Sequence, residues 1–273
     1  MKKSIVLGLL LLALFGFTKN EIKWVAIGDS ITYLNDHLDE TDYRVKSGYM
    51  SRVIKKLTKI NYINHGYNGW TACRVAEKID ELGIQQAEVY TVFLGTNDWW
   101  AGKPLGSFSD YENSKGYNTI YGAFRIIRDK IKSLNPEARV VLITPMKRVD
   151  FVYVANYSNN AYGSYQKKND QDLEEISEAI IRIGQEEGFE VLDLYHHSKL
   201  DFESLVKFKK IRNPESGEYQ NYAYPDFIGL PFDPKKDEYP YPPEAINMTY
   251  DGLHPSDKGN ELIAKELVRI LRK

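Results

Sequence analysis

Short strand-like runs that alternate with helix-like stretches constrain this chain more than any other feature. The runs fall at residues 24–27, 60–64, 89–94, 139–144 and 191–194, and several stop abruptly at glycine or a polar residue. Between them, residues 50–57 and 72–79 fit short helices. Ile120, Phe124, Ile127, Ile131 and Leu134 line one face of a longer helix that Asn135-Pro136 ends. Leu173, Ile176, Ile180 and Ile183 mark another, closing near Gly188, and a last helix is expected over 257–271. Strands joined through amphipathic helices pair in parallel with right-handed crossovers. The expected fold is therefore a three-layer α/β/α sandwich around a central parallel sheet of about five strands. With 273 residues, 42% of them hydrophobic, one domain can bury an ample core.

The amino terminus reads differently. Lys2 and Lys3 precede an apolar run over 5–17 and a polar segment over 18–23, the pattern of a secretory signal and too short to span a bilayer comfortably. The expectation is a signal peptide over 1–20 and an exported domain over 21–273, periplasmic or extracellular; an uncleaved anchor or a buried first helix is the alternative. No later apolar run is long enough to cross a membrane. A formal net charge of -2, from 36 basic and 38 acidic residues, gives no footprint for nucleic acid or an anionic membrane. Cys73 is the only cysteine and cannot form an intramolecular disulfide, so it reads as a small packed side chain. The oligomeric state is left open.

Two segments interrupt the alternation. Residues 147–169 are crowded with Tyr and Asn, and residues 195–250 mix Tyr222, Tyr224, Phe227, Phe232, Tyr239 and Tyr241 with six prolines from Pro225 to Pro243. So many aromatic residues imply order rather than disorder. The second segment is read as a substrate-side wall, with a structural belt over the sheet edge as the alternative.

The chemistry is visible when strand ends are compared. Gly28-Asp29-Ser30 follows the first strand, Asn64-His65-Gly66-Tyr67-Asn68-Gly69 the second, Gly95-Thr96-Asn97-Asp98 the third, and Asp251-Gly252-Leu253-His254-Pro255 precedes the last helix. Ligands of open α/β sheets sit beyond the carboxyl ends of the strands, where these blocks lie. Alone, Gly-Asp-Ser is also an ordinary turn before a helix N-cap. Together, the four blocks resemble, in order and spacing, those of the SGNH (GDSL-type) hydrolases, over roughly residues 22–271. The first block has Ile31 where many members have Leu.

The resemblance implies that Ser30 is a nucleophile, His254 its base and Asp251 the group that orients the imidazole. It also implies an oxyanion hole made of the Ser30 and Gly69 backbone N–H groups and the Asn97 amide. The residue types suit those roles, because a serine hydroxyl needs a base to take its proton and the base works best with its other nitrogen fixed by a carboxylate. Glycine permits close backbone approach, and an Asn amide donates without adding charge. No metal or other cofactor is called for. His196-His197 lacks ligands at zinc spacing, and Asp98 is expected to brace its loop. Trp99 and Trp100 are read either as a stacking wall for substrate or as core. The functional expectation is a secreted serine esterase acting on short acyl esters, acetyl foremost, on carbohydrate. A lipid or lysophospholipid esterase, a thioesterase, and a catalytically silent carbohydrate-binding protein are the alternatives.

Overall fold

The computed structural model describes residues 21–273, so the expected export signal over 1–20 lies outside the described residues. The chain runs β1 (Ile22–Gly28), α1 (Ser30–Tyr33), α2 (Tyr49–Lys56), β2 (Ile60–Gly66), α3 (Ala72–Lys78), β3 (Val89–Phe93), α4 (Thr96–Trp100), α5 (Phe108–Glu112) and α6 (Ile120–Leu134). It continues through β4 (Arg139–Ile143), β5 (Phe151–Tyr153), β6 (Asn156–Ala161), α7 (Leu173–Glu187), β7 (Glu190–Leu192), α8 (Phe202–Leu205), β8 (Lys209–Arg212), β9 (Tyr219–Tyr222) and α9 (Asp257–Leu271).

Five strands form one parallel sheet in the order β2-β1-β3-β4-β7. The winding reverses at β1, whose two neighbours leave in opposite directions, so the crevice between the carboxyl ends of β1 and β3 is the place where such a sheet receives a ligand. Successive β1 side chains divide between the two faces. Trp24 and Ala26 pack with Tyr49, Met50 and Val53 of α2 and with Ile263 and Leu267 of α9. Val25 and Ile27 pack with α3, α6 and α7. Both faces are therefore covered, and the expected three layers are present.

Local chemistry sets the helix ends. Thr119 caps α6 through the Gly122 N–H at 3.2 Å, Asp172 and Glu175 form a reciprocal capping box on α7, and Ser256 caps α9 through Lys258 and Gly259. Gly188, at φ 65°, ends α7 in the left-handed region that favours glycine. Among the described residues no helix is long and apolar enough to cross a membrane.

The two irregular segments differ in what they cover. Residues 147–169 contain the β5–β6 hairpin, which leans over the crevice. Residues 195–250 are a belt, contrary to the expectation of a substrate-side wall. Their Leu205, Val206, Ile211, Phe227, Tyr241 and Met248 extend the core on the α2 and α9 side. The physical reason is that the Tyr and Phe side chains which looked available for ligand are consumed by packing; Phe227 and Tyr241 are fully buried. A buried ion pair ties belt to hairpin segment, with Lys209 Nζ 2.6 Å from Asp150 and the Lys209 side chain 4% exposed. Tyr165 donates to the same carboxylate, and Tyr241 to the Asp150 carbonyl.

Removing one member of a buried pair strands the other. Lys209→Met is expected to lower the free energy of unfolding by about 3–5 kcal/mol, and Asp150→Asn in the same background to recover part of that loss. Urea titrations of the two variants check both, provided the slope of the transition stays constant.

Candidate active site

The turn after β1 is shaped by crowding. A Cβ on Gly28 would lie 2.0 Å from Thr32 Oγ1 and 3.2 Å from the Phe93 carbonyl, so only glycine fits where β1 meets α1. Asp29 caps α1, accepting the Ile31 N–H at 3.0 Å, and Ser30 becomes the first residue of the helix at the head of the crevice. Asp29 is 2% exposed. Desolvation pushes its pKa up to about 6, against the opposing pull of the Ile31 N–H and the field of His254.

His254 reaches Ser30 from the far end of the chain. Its Nε2 is 2.8 Å from Ser30 Oγ, and its Nδ1 is 2.7 Å from Asp251 Oδ2. The other Asp251 oxygen accepts the backbone N–H groups of Leu253 at 3.0 Å and His254 at 2.7 Å. A carboxylate only accepts, so Nδ1 carries the proton and Nε2 is left to accept from the serine hydroxyl. Phe151 meets the imidazole edge-on at 5.5 Å, and Tyr250 lies nearly parallel to it at 5.9 Å. Pro255 follows, and Ser256 starts α9, which keeps the histidine outside the helix.

The second and third blocks brace the Ser30 turn and frame its front. Asn64 Nδ2 donates to the Thr32 carbonyl at 3.0 Å while its oxygen accepts the Gly66 N–H at 2.8 Å. Gly69 takes φ 70°. Asn97 Nδ2 donates to the Trp70 carbonyl at 3.0 Å, which uses one of its two amide hydrogens and leaves the other. Asp98, fully buried, accepts the N–H groups of Ala72 at 2.7 Å and Cys73 at 3.2 Å, so it braces the start of α3 and not, as expected, its own loop. Burial raises its pKa, and those two N–H bonds oppose the shift. Cys73 is a packed core residue.

Ser30, Gly69, Asn97 and His254 open together onto a cleft of about 400 Å³. Its walls come largely from residues the sequence did not single out: Glu40 and Leu34 after α1, and Arg148, Phe151, Tyr153 and Asn159 in and before the hairpin. The available signal was position, since Arg148 follows the carboxyl end of β4 on the crevice side. The two tryptophans separate. Trp100 lines the cleft, whereas Trp99 is fully buried with its indole N–H donated to the Gln171 carbonyl at 3.0 Å, which corrects its reading as a substrate wall. Consecutive helical residues point about 100° apart, so one indole faces out and the other in. His196 also differs from expectation in its surroundings. Asp193, Glu174 and Glu178 stand 2.8, 3.3 and 3.6 Å from it as ion-pair partners. Burial pulls its pKa down, but the Asp193 hydrogen bond and the other carboxylates raise it overall.

A hydroxyl bonded to a carboxylate-held imidazole, beside glycine and amide donors at the switch point of a parallel sheet, can carry acyl transfer to water. Fold and site together define a serine ester hydrolase. The chain belongs to the GDSL-like lipase/acylhydrolase family, whose pattern matches residues 26–262, and it is thus one of the SGNH hydrolases. It is similar to the crystal structure of a possible lipase from Chitinophaga pinensis, at 58% identity and TM-score 0.91 over 92% of this chain and 98% of that one. An acetylxylan esterase from Geobacillus stearothermophilus shares the fold at 16% identity and TM-score 0.51, over 91% of this chain and 93% of that one. A protein from Lactobacillus plantarum does so at 18% and 0.57, over 92% and 97%. A search of curated proteins returned no match.

The raised pKa of Asp29 makes a testable statement about stability. Its neutral form is the one the fold favours, so its contribution is fully present below about pH 4 and is lost as pH rises through about 6. The penalty on the ionised form is on the order of 3 kcal/mol. Asp29→Asn keeps an acceptor for the Ile31 N–H and carries no charge. The difference in melting temperature, variant minus wild type, is expected to grow by several degrees between pH 5 and pH 8 in a calorimetric series. A difference that is constant across that range would show that Asp29 does not titrate there.

Proposed function

We propose that this protein is exported and hydrolyses short acyl esters, acetyl foremost, on an extracellular carbohydrate. The observation that carries the reading is the unbroken path from Ser30 Oγ through His254 to Asp251, at 2.8 and 2.7 Å, opening into a cleft beside Gly69 and Asn97. In the first step Ser30 Oγ attacks the ester carbonyl while His254 Nε2 takes its proton, and Asp251 stabilises the imidazolium that forms. The carbonyl oxygen, now an alkoxide, is received by the Ser30 and Gly69 N–H groups and the spare Asn97 amide hydrogen. As the intermediate collapses, His254 gives its proton to the departing sugar oxygen, which leaves as the free hydroxyl. Water, deprotonated by the same nitrogen, then attacks the acyl carbon, and the proton passes on to Ser30 Oγ as the acid leaves.

The substrate class is supported by the cleft walls. Burying a fatty chain would call for a continuous aliphatic lining, at about 0.8 kcal/mol per methylene. The aliphatic side chains of this cleft are limited to Leu34, Ala101, Ala161 and Leu253, and Trp100, Phe151 and Tyr153 stand among Asn68, Asn97 and Asn159. Aromatic faces beside amides suit the alternating apolar and hydroxyl surfaces of a sugar ring. The acetylxylan esterase that shares the fold acts, by its description, on such a polymer.

Ser30→Ala is expected to reduce hydrolysis of 4-nitrophenyl acetate by more than about a thousandfold with its melting curve unchanged, and a serine-directed phosphonate to label Ser30 alone. Labelling at another serine would relocate the nucleophile. Catalytic efficiency is expected to fall from 4-nitrophenyl acetate through butyrate to octanoate, with acetate released from acetylated xylan or pectin fragments. A preference for octanoate above about tenfold, or ~1.4 kcal/mol in the transition state, would replace the carbohydrate reading with a lipid one. Chelators are expected to leave the rate unchanged.

A further inference from the structure

The cleft contains a positive charge for which ester hydrolysis has no use. Arg148 sits between β4 and β5, in a stretch whose Met146 and Val149 are core residues, and is only 2% exposed, yet it lines the cleft that Ser30 and His254 open onto. Its guanidinium lies 5.1 Å from the ring centre of Trp99 and 5.0 Å from that of Trp100. Nη2 donates to the Tyr162 carbonyl at 3.0 Å, while the enclosed Nε has no acceptor. Two carboxylates reach it through their fields, and both are committed elsewhere: Asp150 to Lys209 at 2.6 Å and Asp251 to His254 at 2.7 Å. Burial pulls its pKa down to about 10, which leaves it charged at neutral pH.

A desolvated cation without a counter-ion is costly, and buried charges are as a rule paired. Two indole rings offset part of that cost. A second cation rests on the same indole, with Lys168 Nζ 4.2 Å from the centre of the Trp100 ring. Among the described lining residues the carboxylate is Glu40, and it already accepts the Tyr33 hydroxyl at 2.8 Å. With indoles against the guanidinium and Tyr162 at one terminal nitrogen, the donors left over are in-plane N–H groups. Planar carboxylates match such donors better than any neutral hydroxyl does.

We propose that Arg148 receives a carboxylate of the substrate, so that the preferred esters are anionic. This rests on the ester-hydrolase reading above and narrows it. The carboxylate is carried either by the alcohol, as in an O-acetylated uronic acid, or by the acyl group, as in a hemisuccinate. In both cases the charge is supplied by the substrate and withdrawn with the product, and the cleft between turnovers keeps an unpaired arginine.

The test is a ratio rather than a rate. For the wild type, kcat/KM is measured on two matched pairs: O-acetylated galacturonate against O-acetylated galactose, and 4-nitrophenyl hemisuccinate against 4-nitrophenyl butyrate. One pair is expected to favour its anionic member by about tenfold or more, and which pair does so assigns the carboxylate to the alcohol or the acyl side. In Arg148→Met the ratio is expected to fall to near one whatever happens to the absolute rates, and in Arg148→Lys to fall only in part. Should Arg148→Met fail to fold, the partial loss in Arg148→Lys assigns the recognition to this residue, and the wild type shows whether there is a preference at all. Galacturonate, and not galactose, should competitively inhibit 4-nitrophenyl acetate hydrolysis if the alcohol side is read, and succinate, not butyramide, if the acyl side is. Ratios near one in both pairs together with no selective inhibition would overturn the proposal while leaving ester hydrolysis intact. A preference that survives in Arg148→Met would overturn it too, by placing the recognition elsewhere. Failure of the hydrolase reading looks different: no turnover of any ester, neutral or anionic, above that of Ser30→Ala.

Discussion

A carboxylate with no access to water holds the turn that leads into α9 in place. Asp251 is fully buried, and a buried carboxylate must find donors or be protonated. It finds three, two backbone N–H groups and the His254 ring, all from its own turn. The turn closes only because Gly252 takes φ 92°, with the Asp150 carbonyl where a Cβ would stand, 2.0 Å away. The Asp251 and Gly252 carbonyls in turn accept the N–H groups of Val152 and Val149. One buried charge thus fixes the histidine, the start of α9 and the approach of the hairpin segment that walls the cleft.

The polar residues of the strand-end blocks act as cross-braces as well as candidate reactants. Asn64, on β2, holds a carbonyl of α1; Asp98, after β3, holds the first N–H groups of α3; Asn97 holds the carbonyl of Trp70. Each loop at the crevice is therefore fastened to a neighbouring loop and not merely to its own strand. Side chains held by such second contacts keep their rotamers when a ligand arrives, which is what preorganised donors require.

How much of this could be read from the sequence depends on whether a residue's environment is set locally. The helices from Ile120 to Leu134 and from Asp257 to Leu271 were legible in full because their apolar spacing and their caps are local signals. The sheet was legible because β1 is apolar on both faces and alternates with helices. The blocks at Ser30, Gly69, Asn97 and His254 could be grouped because strand ends of such a sheet share one crevice. The β5–β6 hairpin could not, since Asn156 to Asn160 has no apolar alternation and is ordered by what it leans on. Trp99 and Trp100 are alike in sequence and differ only in which way a five-residue helix is turned. The belt over 195–250 looked like a binding surface because aromatic composition does not say whether a ring faces ligand or core.

The hydroxyl of Ser30 and the imidazole it meets are separated by 224 positions along the chain, almost the whole described length. Nothing nearer in sequence substitutes for that partner, and α9 must dock against α2 and the sheet before the two can touch. The turn that carries Ser30 therefore meets its imidazole only once α9 has packed. A polypeptide clipped before residue 251 keeps all five strands of the sheet and has no serine–histidine contact at all. Assembly of the pair is therefore all-or-none: it depends on the packing of α9 and not on the sheet alone.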